Sequence, residues 1–95
     1  MATVLVTPNA VNDLDTLVRT LSLPRNTRER VKSSLRPLFR FPRLGAPLEG
    51  RWADFRFILG PWRWMLVVYV YDEATDRVAV VTIQDARSTK AATGE

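Results

Sequence analysis

The chain has 95 residues, 46% of them hydrophobic and 25% charged, with a net charge of +4 and an isoelectric point near 10.3. It contains neither cysteine nor histidine, which excludes a disulfide framework, a thiolate zinc site and the usual neutral-pH proton shuttle. The length fits a single domain spanning residues 1–95 with a modest core. No apolar run reaches membrane-spanning length, and the N-terminus lacks the charged and apolar regions of a signal peptide. The expectation is a cytoplasmic protein with no metal, no cofactor and no membrane contact.

Thr3 to Thr7, TVLVT, is β-branched and reads as a strand closed by Pro8. Asn9 is a candidate cap for the helix that follows, in which Val11, Leu14, Leu17, Val18 and Leu21 recur at helical spacing. Leu23-Pro24 ends it. A second helix starts at Asn26 or Thr27, with Val31, Leu35 and Leu38 as a narrow apolar stripe. Pro37 should break or kink this helix after Leu35. A connection this short predicts an antiparallel helical hairpin.

Phe41 to Gly50, FPRLGAPLEG, reads as a loop. Three strand-like runs follow: Arg51 to Leu59, Trp62 to Tyr71 and Arg77 to Asp85. Gly60-Pro61 is taken as a tight turn and Asp72 to Asp76 as a five-residue loop. Residues 88–95 are small and polar and are expected to fray. The predicted fold is α+β: an N-terminal strand and an antiparallel two-helix hairpin packed on one face of a mainly antiparallel sheet, in the order β-α-α-β-β-β.

The two turn lengths set the register. They place Phe55, Phe57, Trp64, Leu66, Val68, Val70, Val78 and Val80 under the helices. The opposite face then carries Met65, Val67, Tyr69, Val81 and Ile83 in its middle, with Arg56, Arg63, Asp85 and Arg87 at one end. With nothing in the chain left to cover it, this second face needs a partner, either a second copy or a different protein.

The basic residues concentrate between Arg25 and Arg43, where seven arginines and lysines are offset by Glu29 alone. On the second helix Arg28, Lys32 and Arg36 fall at i, i+4 and i+8 and form one basic line. A line of this kind is either a solvated face or a contact for an anionic partner. With Lys90 in the tail it makes a candidate nucleic-acid surface.

Taken together, the element order, Gly45-Ala46-Pro47-Leu48-Glu49-Gly50, the Phe55-Arg56 pair, the Trp62-Arg63 step and the closing Gln84-Asp85-Ala86-Arg87 are similar to the RelE/ParE superfamily of bacterial toxins. The resemblance runs from Val4 to about Thr89. It implies the toxin of a type II toxin–antitoxin pair, held inactive by a cognate antitoxin that would cover Met65, Val67, Tyr69, Val81 and Ile83. It further implies growth inhibition by ribosome-dependent mRNA cleavage, an endoribonuclease activity, with Arg63, Arg87 and Arg56 as the catalytic arginines. The alternatives are the gyrase-directed branch, which is not enzymatic, and a non-toxic RNA-binding domain. The chain departs from the family in having Asp85-Ala86-Arg87 where Gly-His-Arg or Gly-Lys-Arg is common, and in having no tyrosine after Arg87. No general base is therefore visible. Arginine shuttles protons poorly, and an aspartate beside arginines is a weakened base.

Overall fold

A computed structural model describes residues 1–88; Lys90 and residues 89–95 of the expected tail lie outside the described residues. In chain order the elements are β1 (Thr3–Val6), α1 (Pro8–Leu21), α2 (Thr27–Leu35), α3 (Pro37–Arg40), β2 (Ala46–Pro47), a 3-10 turn (Gly50–Trp52), β3 (Arg56–Leu59), β4 (Met65–Asp72) and β5 (Arg77–Asp85). The five strands form one sheet in the order β1-β5-β4-β3-β2. All neighbours are antiparallel except β1, which runs parallel to β5. Helices packed on a mixed sheet make the fold α+β, as the element pattern predicted. Among the described residues no helix is long and apolar enough to cross a membrane.

Thr7, not Asn9, caps α1. Its hydroxyl oxygen accepts from the Ala10 N–H, and Pro8 takes the first turn, where a missing N–H costs nothing. The Asn9 amide instead donates to the Val81 carbonyl at 2.9 Å. It thereby serves β5 just past Val80, where the pairing with β1 stops. α1 ends at Ser22, which adopts the left-handed conformation at φ 52°. α2 stops at Leu35, and the chain restarts as the short α3 with Pro37 at its first position, the interruption that Pro37 required.

The central strand β4 is buried on both faces, but the faces are the reverse of those predicted. Met65, Val67 and Tyr69 are fully buried beneath the helices, packed with Ala10, Leu14, Val31, Leu35 and Leu38. Ile83 joins them at 2% exposure. These four residues are core and present no surface to an antitoxin. Val81, the fifth of that predicted set, is half-buried on the opposite side with Leu66 and Val68.

Two features of the hairpins cause the reversal. The β4–β5 turn pairs Asp72 with Arg77 and Tyr71 with Val78, one residue out of the predicted alignment, and a one-residue slip exchanges the faces. A bulge between Val68 and Tyr69 then leaves Val81 as an extra residue on β5, so that Val78, Val80 and Ile83 all reach the same core despite their mixed parity. On the other side, Gly60-Pro61 is not a two-residue turn. Leu59 pairs with Leu66, and residues 60–64 form a loop closed by bonds from Gly60 N to Met65 O and from Met65 N to Trp62 O.

The second face is roofed by the chain itself. After α3 the segment 41–55 wraps round the β2 edge and lays Leu48, Trp52 and Phe55 against Leu66, Val68 and Phe57. The Leu48 N–H bonds to the Phe55 carbonyl at 3.0 Å and Trp52 meets Phe55 edge to face at 5.5 Å, so this roof holds its own shape. A run predicted as the strand Arg51–Leu59 is thus half turn and half strand.

Candidate functional site

The loop after β3 brings together what the sequence keeps apart. Trp62 and Trp64 are two residues apart in the turn that the Met65 N–H closes onto the Trp62 carbonyl. Their rings stack with centroids 5.8 Å apart and planes 8° from parallel. Arg30, from α2, lies over Trp62 at 4.7 Å, and Arg87, just past β5, lies over Trp64 at 4.7 Å. Four flat groups from three parts of the chain therefore meet in one column of stacked indoles, each carrying a guanidinium. The loop is tied to β5 by the Ala86 N–H, which donates to the Trp64 carbonyl at 2.6 Å.

The two ends of the column are anchored differently. Asp85 grips Arg87 through both carboxylate oxygens, from Nε and from an Nη, each at 2.9 Å, and also accepts the Arg87 backbone N–H. Hydrogen bonding to Arg87 holds the Asp85 carboxyl below its ordinary value, against a smaller desolvation effect, and the same pairing raises Arg87. The Arg30 guanidinium lies over the Trp62 ring and makes no hydrogen bond or ion pair among the described residues. Arg63 is exposed, with no ion pair or side-chain hydrogen bond among the described residues. Three cations against one carboxylate give this corner a net positive charge. Such a surface suits phosphate, and the ring faces suit a base. A nucleobase stacked on an aromatic ring is worth about 1–3 kcal/mol, whereas an exposed cation on one is worth about 0.5–1 kcal/mol.

Of the three arginines predicted to act together, two are here. Arg56 is elsewhere. It pairs with Tyr69, four residues along β4 from Met65 and so about 13 Å from this end of the sheet. One of its Nη atoms donates to the carbonyls of Gly45 at 2.8 Å and Arg43 at 3.2 Å, which fixes the 41–45 segment. Arg56 is a structural clamp. On the basic line of α2, Arg28 is ion-paired with Asp15, while Lys32 and Arg36 are exposed. The α2 residue that reaches the site is Arg30, which the line omitted because it lies on a different side of the helix. The W-x-W spacing was the one sequence signal for the stacked pair. Among the described residues, no three His, Cys, Asp or Glu side chains come together as a metal ion would need.

The isolated RelE toxin of Escherichia coli superposes with a TM-score of 0.67 at 18% identity, over 95% of this chain and 89% of that one. The fold is that of the RelE toxins. The toxin–antitoxin complex RelBE of E. coli gives 0.64 at 18% identity, covering 93% of this chain and all of the matched one. The Mycobacterium tuberculosis toxin–antitoxin complex RelBE2 gives 0.61 at 22% identity, covering 88% and 96%. No protein-family model matches the chain, and no curated relative matches it. At these identities the RelE fold is shared by architecture, while the side chains of the site, the Trp62–Trp64 pair above all, must be read for themselves.

Proposed function

We propose that this chain is the toxin of a type II toxin–antitoxin pair, neutralised by a cognate antitoxin, and that it arrests growth by ribosome-dependent cleavage of mRNA. The observation that carries the reading is the gathering of Arg30, Arg63 and Arg87 round a stacked tryptophan pair at one end of a RelE-fold sheet. Guanidinium groups neutralise phosphate and pair with it bidentately, and indole faces accept bases.

Cleavage through the 2′-hydroxyl needs a base, a stabiliser for the charge on phosphorus and an acid for the leaving oxygen. Arg63 and Arg87 can serve the second need through oriented positive charge. Asp85 is a poor base because Arg87 holds its pKa down. The proton transfers therefore fall to the ribosome or to the RNA held in it, which makes the activity dependent on that partner. That same weak base is the observation favouring the second reading, a gyrase inhibitor that cuts nothing.

Expression of the chain without a partner tests the proposal. Growth should stop, Arg63→Ala and Arg87→Ala should each relieve the arrest, and primer extension on mRNA from arrested cells should show new ends inside codons. Arrest without new ends, accompanied by a supercoiling defect, would move the assignment to gyrase. Unimpaired growth at high expression would reject a toxin altogether.

A further inference from the structure

Resting on the RNA reading above, we infer that Trp62 is a stacking subsite for one base of single-stranded RNA, occupied in the free protein by the Arg30 guanidinium, which gives way and takes a phosphate instead. The asymmetry of the column points to this. Arg87 is held by Asp85 as well as by Trp64, so the Trp64 end is locked. The Arg30 guanidinium lies over the Trp62 face with no hydrogen bond or ion pair to hold it among the described residues. A base outbids an exposed cation for an indole face, and the displaced guanidinium stays on a flexible stem within reach of the neighbouring phosphate. Trp62 stays in place during the exchange because it is stacked on Trp64 and its carbonyl accepts from the Met65 N–H. Exposed Arg63, between the two indoles in sequence, adds a second phosphate contact to the same strand.

The test uses the purified full chain and an eight-nucleotide oligoadenylate at 0.1 M salt, with tryptophan fluorescence as the readout. Binding should quench the signal saturably, and the same oligonucleotide with abasic positions should bind at least fivefold more weakly. Trp62→Leu should lose that preference for bases and Trp62→Phe should restore it, circular dichroism confirming that both variants fold. Arg30→Ala should keep the preference while lowering the slope of log affinity against log salt by about 0.7, the share of one phosphate on a single strand. Equal binding of the intact and abasic strands, or an unchanged preference in Trp62→Leu, overturns the subsite. An unchanged salt slope in Arg30→Ala overturns the exchange. A Trp62-dependent preference in a protein whose expression leaves no new mRNA ends would uphold the subsite and reject cleavage, whereas new ends with no Trp62 dependence would reject the subsite alone.

Discussion

The Tyr69 hydroxyl accepts a hydrogen bond from the Gly45 backbone N–H at 2.8 Å, in the buried interior. This bond joins the middle of the central strand to the start of the segment that roofs the second face. A Cβ on Gly45 would lie 2.6 Å from the Phe57 carbonyl oxygen and 2.7 Å from the Tyr69 hydroxyl, so no larger residue fits without moving the sheet. Tyr69→Phe should destabilise the fold by about 1–3 kcal/mol, the cost of orphaning a buried donor. Gly45→Ala should cost more, because a backbone oxygen cannot swing aside. Urea unfolding of both variants checks the order.

Alkaline titration should report the same contact. Tyr69 is raised above the ordinary 10.0, chiefly by burial, with the Gly45 N–H and the charge of Arg56 opposing. Tyr71 is raised as well, chiefly by donating its hydroxyl to Asp76. These are the only two tyrosines. Absorbance near 295 nm should therefore show tyrosinate forming above pH 10 in the native protein. For a group raised on folding, the stabilisation is complete below the unfolded pKa and is lost as pH rises through the folded one. The contribution of Tyr69 should thus be intact at neutral pH and disappear above pH 10, and Tyr69→Phe should flatten that part of the stability profile.

Arg56→Ala should separate fold from function. It removes the hydrogen bonds to Gly45 and Arg43, and at a half-buried site about 1–2 kcal/mol of stability should go with them. Arg63→Ala and Arg87→Ala should leave the urea midpoint close to the parent while relieving growth arrest. Any relief in Arg56→Ala should be recovered by lowering the growth temperature; relief in Arg63→Ala and Arg87→Ala should not.

Local signals carried the element order. Pro8, Pro37, the Val31–Leu35–Leu38 stripe and the apolar run from Met65 each act within a few residues, and each left its mark in the sequence. The sheet faces depended on the β4–β5 turn and on a bulge, whereas the β3–β4 turn, displaced by four residues, changed the pairing without exchanging the faces. Gly60-Pro61 looks like a two-residue turn, but the ladder stops at Leu59–Leu66 and Trp62 and Trp64 stack in the loop outside it. A bulge at Val81 leaves no compositional trace, yet it carries Ile83 into the core. The aromatic-Arg step and the closing arginine were legible as chemistry. Arg30 was not, because its role depends on the docking of α2 beside the β3–β4 loop, a long-range contact that helical periodicity does not encode.

Asp85 offers the sharpest separation of binding from orientation. Its two oxygens take three bonds from Arg87. An amide at that position keeps one acceptor and surrenders the charge. Asp85→Asn should therefore bind oligoadenylate at least as tightly as the parent, since a negative charge leaves a basic corner, yet arrest growth less, since Arg87 loses the grip that aims it. Acid should act in the same direction. The Asp85 carboxyl should titrate below the ordinary 3.8, with Arg87 as the cause. For a group lowered on folding, the stabilisation is present above the unfolded pKa and is lost as pH falls through the folded one. The Asp85–Arg87 pair should thus hold from neutrality to below pH 3.8 and open only as the pH falls through the lowered value, with little effect on overall stability because the pair lies at the surface. Carboxyl carbon shifts followed by NMR, in the parent and in Arg87→Ala, give the midpoint directly. An Asp85 midpoint that stays put when Arg87 is removed would show that the carboxylate does not hold the guanidinium in solution.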